Sequence, residues 1–343
     1  MKNTKIAIIG FICILAIVGF LLFRKHSAKS GEQKIQTLKK MTVALDWTPN
    51  TNHTGMYVAL AKGWYKEQGL DVKILPYSSA TSPDILVTTG KADVGVGNTE
   101  GIIADAATGN PVVSIATIIQ HNTSGFLALA DNGITSPKDL DNKLDGGSGG
   151  PLETAVVSHI IKQDGGKGTF KSVALDVDAM QALETKKIDF FWVFEGWEVI
   201  QAKRKGLHPV YFPSIKYGIP DYYTPVLIAC PAEIKQKPEL LKKFMTATSK
   251  GYAYAIQHPK ESAQMLIDGT PKGTFPDTGL IFASQDFLSK HYVDAGRTWG
   301  LQDKKAWHDY PQFMIDAGAA LDSKGKPVKS LDFDTLYTNK FIQ

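Results

Sequence analysis

Short apolar runs alternate with segments of helical periodicity along most of the chain. Apolar runs rich in β-branched residues predict strands over residues 42–45, 70–75, 92–97 and 111–119. Between these runs, the spacing of apolar residues predicts helices over residues 55–66 and 83–89. Strands and helices that alternate at this spacing are typical of an α/β fold with a mostly parallel sheet.

The second half of the chain repeats this alternation. It predicts helices over residues 151–163, 178–185 and 196–205, and strands over residues 172–175 and 189–194. After Cys230 the pattern becomes mainly helical. A chain of 343 residues with this apolar content can bury a large core and is long enough for two lobes.

An uninterrupted apolar segment precedes the alternating pattern. Residues 6–23 are apolar or glycine and carry no charge, which is about the minimum length for a helix that spans a membrane. We interpret residues 1–26 as an uncleaved membrane anchor, with a cleaved secretion signal as the alternative. The polar, lysine-rich residues 27–40 would then form a tether. Basic residues flank the apolar segment on both sides, and we expect the rest of the chain to be extracytoplasmic.

The formal charge of +4 comes from the first thirty residues, which carry five basic side chains and no acid. Residues 31–343 hold 33 basic and 34 acidic side chains, so charge gives no reason to expect nucleic acid as a partner. Cys230 is the only cysteine outside the apolar segment, which excludes a disulfide framework and a cysteine metal site. The sequence also lacks a P-loop and an HExxH motif, and we predict neither a metal nor a cofactor.

Polar and aromatic residues crowd into the stretch LDWTPNTNHTG, directly after the first predicted strand. The end of a strand is where an open α/β sheet offers a crevice for a ligand. Trp47 would supply an aromatic face for a flat heteroaromatic ligand, and Asn50 and His53 would supply hydrogen-bonding groups for its ring edge. The alternatives are that Trp47 belongs to the core, that Asn50 or Asn52 caps the next helix, and that His53 is structural.

Two further turns carry candidate ligand groups. Asn98 and Thr99 follow the strand predicted over residues 92–97, and they either face the crevice or cap the next helix. The glycine-rich stretch DGGSGGPLE contains Gly149 and Glu153 as candidates, because a backbone without Cβ atoms can approach a ligand closely. A flexible turn without a binding role is the alternative for this stretch.

The most aromatic stretch of the chain, FFWVFEGWE, covers residues 190–198. Alternation along the strand leaves Glu195 at its end, where a carboxylate would accept hydrogen bonds from donor groups of a ligand. Glu195 could instead begin a helix, where the helix dipole favours an acid. Trp192 and Trp197 are candidate ligand contacts or core residues. Tyr222 and Tyr223 are candidates for closing the crevice, although two adjacent tyrosines on a strand cannot both face it.

Residues 45–72, 90–102 and 132–155 carry a family resemblance. Together they resemble the substrate-binding proteins of ABC importers, in the branch that shares a domain with fungal thiamine-pyrimidine synthase and is called the SsuA/THI5-like or NMT1 family. The resemblance implies a two-lobed periplasmic-binding-protein clamshell, in which each lobe is a mostly parallel sheet flanked by helices. Lobe 1 would comprise residues 41–128 and 228–343, and lobe 2 residues 129–227, with chain crossings near residues 126–131 and 223–230.

The resemblance also implies a function. We expect a monomeric binding component that captures a small heteroaromatic ligand, foremost a thiamine-precursor aminopyrimidine, by lobe closure and delivers it to an ABC permease. A synthase-like enzyme is one alternative and would use His53 as a reactant. The resemblance to the synthase would require clustered cysteines near the second crossing, where this chain has Cys230 alone, so we expect no enzyme. The other alternative, a receptor for sulfonates or other small anions, would need Arg or Lys in the crevice, and the candidate loops contain no arginine.

Overall fold

The computed structural model describes residues 37–175 and 178–342. The predicted anchor, and the predicted tether before residue 37, lie outside these ranges, and the first strand begins at Lys39 within the last residues of that tether. Within the described ranges, no helix combines the length and the apolar character that crossing a membrane requires. The strands are β1 (Lys39–Ala44), β2 (Leu70–Leu75), β3 (Val94–Gly97), β4 (Val113–Thr117), β5 (Ser124–Leu129), β6 (Leu144–Asp145), β7 (Lys171–Ser172), β8 (Phe190–Phe194), β9 (Pro209–Pro213) and β10 (Val226–Ala229).

Helices connect the strands and make up most of the chain after β10. The α-helices are α1 (Thr54–Ala61), α2 (Trp64–Glu67), α3 (Pro83–Thr88), α4 (Thr99–Thr108), α5 (Pro151–Gln163), α6 (Ala179–Glu184), α7 (Ile200–Arg204), α8 (Pro231–Gln236), α9 (Pro238–Gln257), α10 (Pro259–Asp268), α11 (Thr278–Leu288) and α12 (Ala306–Asp316). Short 3₁₀ turns cover Thr51–His53, Ala130–Asn132, Pro137–Leu140, Ser214–Tyr217 and Phe333–Thr335, and a π-helical turn covers Glu195–Val199.

The strands form two five-stranded sheets, and the predicted α/β fold class is confirmed. The first sheet has the order β2-β1-β3-β10-β4, and the second has the order β7-β6-β8-β5-β9. In the first sheet β1 is parallel to β2 and β3, whereas β10 is antiparallel to β3 and β4. In the second, β6 is parallel to β7 and β8, whereas β5 is antiparallel to β8 and β9. The sheets are mixed rather than mostly parallel, because β5 and β10 each enter directly from the other sheet instead of through a crossover helix.

The crossings between the sheets are visible in the strand pairing. β5 pairs with β8 and β9 over its length, so the chain leaves the first sheet before Ser124. This point precedes the crossing predicted near residues 126–131. The chain returns to the first sheet with β10, which begins at Val226, inside the range predicted for the second crossing. The boundaries of the two lobes remain a prediction.

Strand direction brings the loops after four strands together. β1 and β3 are parallel neighbours, so their carboxyl ends lie at the same edge of the first sheet, and the same holds for β6 and β8 in the second. β5 is antiparallel to β8 and therefore begins where β8 ends, with Ser124 paired to Phe194. β10 likewise begins where β3 ends, with Val226 paired to Gly97. Both crossings and all four loops consequently meet at one place between the sheets.

Helix α9 packs across α1 at a point where neither backbone has room for a larger side chain. A Cβ atom built on Gly251 would lie 1.9 Å from the carbonyl oxygen of Gly55. A Cβ atom on Gly55 would lie 2.3 Å from the ring of Tyr252. The two glycines therefore allow α9 to approach α1 closely enough to place Tyr252 against the start of that helix.

Two buried tyrosines hold the turn that precedes α1. Tyr252 donates its hydroxyl hydrogen to the carbonyl oxygen of Asn52 at 2.6 Å. Tyr292, which is also fully buried, donates to the carbonyl oxygen of Thr51 at 2.5 Å. Because both carbonyl groups belong to the turn Thr51–His53, Tyr252 of α9 and Tyr292 after α11 together fix the position of the segment that follows β1.

Gly251→Ala should destabilise the protein, because the added methyl group would force α9 away from α1. We expect the free energy of unfolding to fall by roughly 1–3 kcal/mol, measured by urea denaturation. Ala253→Ser, on the exposed side of the same helix, is the matched control and should stay within about 0.5 kcal/mol of wild type. Equal stabilities of the two variants would contradict the close helix contact.

Candidate ligand-binding site

A buried histidine organises the segment that follows β1. His53 Nδ1 accepts the backbone N–H of Asn50 at 3.1 Å, so the neutral ring carries its proton on Nε2. Nε2 in turn donates to Asp46 Oδ1 at 2.8 Å. The side chain of His53 is fully buried, whereas 28% of the Asp46 side chain is exposed. The histidine thereby fixes the orientation of the Asp46 carboxylate, which is partly exposed in the space between the two sheets.

The side chain of Asn50 is used within this segment, and one aromatic face stays open. The Asn50 side chain accepts the N–H of Asn52 at 2.9 Å and donates to the carbonyl oxygen of Thr48 at 3.1 Å. Trp47 is 56% exposed, and its ring centroid lies 5.1 Å from that of Tyr77. An indole exposed to this extent next to a second ring provides a surface on which a planar ligand can stack.

A cavity of about 380 Å³ lies between the two sheets beside this segment, which is an ordinary volume for a small-molecule site. From the first sheet it is lined by Asp46, Trp47, Asn50, Thr51, Asn52 and Asn98. From the second sheet it is lined by Phe191, Trp192, Phe194, Trp197 and Glu198. The cavity therefore combines several aromatic faces with two carboxylates.

The π-helical turn at the end of β8 directs Glu198 into this cavity. Glu198 Oε2 accepts the backbone N–H of Phe194 at 2.9 Å. Burial raises the pKa of the Glu198 carboxyl to about 7, and the hydrogen bond from Phe194 acts in the opposite direction. Glu195, the predicted ligand carboxylate, does not line the cavity. Its backbone N–H is still bonded to the carbonyl oxygen of Thr123, so the carboxylate that faces the cavity comes one turn later.

A second cavity, of about 450 Å³, adjoins the first. Both cavities are lined by Asn98, Trp192, Phe194 and Thr224. Glu100 lies on the wall of the second cavity, and its Oε1 accepts the hydroxyl groups of Tyr222 at 2.6 Å and Tyr310 at 3.2 Å. The rings of these tyrosines stack with their centroids 3.7 Å apart. A third carboxylate is thus held rigidly at the cleft.

Glu153, in the first turn of α5, is hydrogen-bonded to the glycine-rich turn that precedes this helix. Glu153 Oε2 accepts the hydroxyl of Ser148 and the backbone N–H of Gly149, both at 2.8 Å. Gly147 makes this approach possible, because a Cβ atom there would lie 2.0 Å from Glu153 Oε1. Burial raises the pKa of neighbouring Asp145 to about 7, and the charge of Glu153 adds to the effect. The positive end of the α5 dipole is therefore already occupied by a carboxylate.

The first and second cavities together form the inner cleft, and their charged side chains are acidic. Among the described residues, no lysine or arginine lines the first or the second cavity. The cleft continues outward into a third cavity of about 670 Å³, whose wall includes Arg204 and Lys205. Arg204 forms two hydrogen bonds to Asp277, each 2.8 Å long, and Lys205 is paired with Glu184. The basic groups at the outer cleft are thus already engaged by acids, and the inner cleft favours hydrogen-bond donors and cations.

The structure brings together part of the predicted set of site residues. The predicted residues that line the first two cavities are Trp47, Asn50, Asn98, Glu153, Trp192, Trp197 and Tyr222. The predicted residues that do not line them are His53, Thr99, Gly149, Glu195 and Tyr223. A ligand-binding role for the first group stays a prediction.

Three of the residues that lie away from the cavities have structural partners instead. Thr99 is buried and donates its hydroxyl hydrogen to the carbonyl oxygen of Tyr223 at 2.6 Å. The Tyr223 hydroxyl accepts the backbone N–H of Asp303 at 2.8 Å. Gly149, at φ +65°, lies between cavity residues and gives its N–H to Glu153. These groups shape the cleft without facing it.

Glu100 and Glu198 line the cavities and were not predicted as ligand groups, whereas Tyr222 was expected, with Tyr223, to close the crevice. Asp46 carries a signal, because it directly precedes Trp47 in the polar segment after the first strand. Glu198 carries a weaker one, because it follows Glu195 by three residues in the aromatic stretch. Glu100 carries none, since its contact with Tyr222 joins positions 122 residues apart.

The chain is similar over most of its length to proteins of two kinds. A formylaminopyrimidine-binding protein from Halalkalibacterium halodurans is 27% identical over 314 residues, covering 90% of this chain and 92% of the relative. A 4-amino-5-hydroxymethyl-2-methylpyrimidine phosphate synthase from Legionella pneumophila is 26% identical over 318 residues, covering 88% of this chain and 92% of the relative.

Solved structures share the fold at lower identity. A putative periplasmic sulfonate-binding protein, SsuA, from Methylobacillus flagellatus superposes with a TM-score of 0.62 at 17% identity, covering 90% of this chain and 93% of the other. The family model described as NMT1/THI5 like matches residues 50–262, which is more than half of the chain. The resemblance inferred from the sequence is confirmed, and the chain belongs to the NMT1/THI5-like family.

Proposed function

We propose that this protein is the extracytoplasmic binding component of an ABC importer and captures a flat, protonatable heteroaromatic compound, foremost an aminopyrimidine related to thiamine. The first cavity carries the proposal. Aromatic faces stand beside Asp46 and Glu198, and within the described part of the chain no basic side chain lines it. Aromatic faces stack on planar rings and attract cations, and carboxylates accept hydrogen bonds from amino groups and protonated ring nitrogens.

Ligand binding would draw the two sheets together, because each contributes one wall of the cavity. Asp46 and Trp47 follow β1 of the first sheet, and Trp192 and Glu198 belong to the end of β8 in the second. A ligand that touches both walls gains contacts that exist only when the cleft is closed, so it shifts the equilibrium toward closure. An ABC permease would recognise the closed form, and the predicted N-terminal anchor would keep the protein at the membrane.

The formylaminopyrimidine-binding relative from H. halodurans supports a pyrimidine as the ligand, since its similarity extends over 90% of this chain. The fold shared with ABC-importer binding proteins supports capture by a cleft. A sulfonate or another small anion suits this cleft poorly. Glu153 occupies the N-terminus of α5, where an anion would otherwise bind, and Arg204 is already paired with Asp277.

The synthase relatives make an enzyme the second candidate. In this chain both ring nitrogens of His53 are hydrogen-bonded and the ring is fully buried, so it does not reach the cavity. Cys230, the single cysteine of the described residues, lies at the start of α8, where its Sγ accepts the N–H of Glu233 at 3.4 Å. A histidine with a structural task and a cysteine with a capping task support binding over catalysis.

Titration of the purified full-length protein with 4-amino-5-hydroxymethyl-2-methylpyrimidine should change its tryptophan fluorescence, because three indoles line the cavity. Taurine should give no change. Trp47→Ala should weaken binding and reduce the signal, yet keep the stability within about 0.5 kcal/mol, since the indole is largely exposed. Tight binding of taurine without a response to the pyrimidine would show that the ligand class is wrong.

The affinity for the pyrimidine should rise as the pH increases through about 7, the pKa to which burial raises Glu198. Below this pH the carboxyl of the free protein is protonated, so a neutral ligand that donates from its amino group can bind the charged carboxylate only if Glu198 releases a proton. The slope should reach at most about tenfold per pH unit, measured by calorimetry between about pH 5.5 and pH 8.5.

Glu198→Gln should flatten this slope and weaken binding by roughly 1.5–3 kcal/mol, because a charged hydrogen bond is lost. Glu195→Gln is the matched control on the same turn and should keep both the affinity and the slope, since Glu195 lies off the cavity. A slope that persists in Glu198→Gln would assign the titration to another group or to the ligand.

Two substitutions of His53 separate its two hydrogen bonds. His53→Gln keeps a donor that can reach Asp46 but loses the acceptor for Asn50, whereas His53→Asn keeps an acceptor near Asn50 but is too short to reach Asp46. If His53 acts by orienting Asp46, His53→Asn should lose about as much affinity as Asp46→Asn, roughly 1.5–3 kcal/mol, and His53→Gln should lose less. Urea unfolding of each variant separates lost binding from lost stability. Equal losses of affinity in both His53 variants would argue against this role.

A further inference from the structure

The second cavity contains two buried polar atoms that have no hydrogen-bond partner within the described chain. They are Glu100 Oε2 and Ser124 Oγ, and both residues line this cavity. Ser124 is fully buried at the start of β5, where the chain enters the second sheet. A buried polar atom without a partner costs free energy, and an unpaired carboxylate oxygen is the more costly of the two.

The two carboxylate oxygens of Glu100 differ in their partners, because protein donors engage Oε1 and none engages Oε2. Oε1 accepts both tyrosine hydroxyls, and the two phenol rings stack against each other, which leaves Oε1 no freedom to turn away. The other oxygen is therefore held in place without a protein donor. A purely structural role beneath Tyr222 and Tyr310 would be served equally well by a glutamine, which also presents one oxygen to the phenols.

We propose that the second cavity binds a substituent of the ligand that carries an N–H or O–H donor, with Glu100 Oε2 as its acceptor and Ser124 as its second partner. This inference rests on the function proposed above. The ring would lie in the first cavity, and the substituent would pass Asn98 and Thr224, which line both cavities, to reach Glu100. A hydroxyl or amine suits both partners, because it donates to the carboxylate and can accept from the serine.

The same groups exclude a phosphorylated substituent. Glu100 and Glu153 both line the second cavity, and no lysine or arginine does so within the described ranges. A phosphate group would meet two carboxylates and no cation, at a helix N-terminus that Glu153 already occupies. The ligand class is therefore narrowed to heteroaromatic compounds with a free hydroxymethyl-type or aminomethyl-type substituent.

The test compares three probes on the full-length protein by calorimetry. They are 4-amino-5-hydroxymethyl-2-methylpyrimidine, its phosphate ester, and 4-amino-2,5-dimethylpyrimidine, which has the same ring without the donor. Wild type should prefer the hydroxymethyl compound over the dimethyl compound by about tenfold, the value of one hydrogen bond. It should bind the phosphate ester at least about tenfold more weakly than the alcohol.

Glu100→Gln should abolish most of the preference for the hydroxymethyl compound, because the oxygen that has no protein partner becomes an amide donor while the phenols keep their acceptor. Ser124→Ala should reduce the preference in part. Asp46→Asn should weaken both compounds by a similar factor, and Glu195→Gln should weaken neither. Urea unfolding of each variant confirms that it is folded.

The outcomes distinguish this inference from the proposed function. If wild type binds both pyrimidines without preference, or if Glu100→Gln and Ser124→Ala leave the preference intact, the second cavity does not hold the substituent and only this inference fails. Binding of the phosphate ester as tightly as the alcohol also refutes it. If wild type binds neither pyrimidine, the proposed ligand class fails, and the inference fails with it.

Discussion

The buried imidazole of His53 is the constraint on which the rest of the cleft depends. A fully buried ring with two polar nitrogens must find a donor and an acceptor, and it finds them in the N–H of Asn50 and the carboxylate of Asp46. Both partners lie within the short segment after β1, so satisfying the ring dictates the course of that segment. The close packing of α9 on α1 adds Tyr252, whose hydroxyl donates to the carbonyl oxygen of Asn52 in the same segment. Trp47 is consequently presented by a backbone segment that several buried hydrogen bonds hold in place.

Three carboxylates of the cleft share one design. In each, an internal donor holds one oxygen: His53 for Asp46, the backbone of Phe194 for Glu198, and a pair of phenols for Glu100. An acid fixed in this way needs no reorganisation when a ligand donor arrives, so less of the interaction energy is lost in ordering the site. The donors come from a loop, a strand end and two distant tyrosines. The fixed carboxylates are thus distributed over both sheets.

The sequence predicts which loops line the cavities better than it predicts which side chains of those loops face them. Strand ends were located because periodicity identifies strands, and Trp47 and Asn98 follow from that alone. His53 faces the interior because a histidine in a polar stretch gives no sign of which way its ring points. Glu198 replaces Glu195 because a π-helical turn shifts the carboxylate that faces the cavity, and periodicity does not reveal such a turn. Glu100 meets Tyr222 only through the return of the chain to the first sheet, and the mixed strand directions depend on the same crossings.

Glu153 determines how the glycine-rich turn would respond to inorganic anions. An open helix N-terminus flanked by glycines attracts anions such as phosphate or sulfate. Here the helix carries its own counter-anion, covalently attached and bonded to Ser148 and Gly149. Mineral anions would have to displace a tethered carboxylate to enter. An inorganic anion would therefore compete poorly for the backbone groups of this turn.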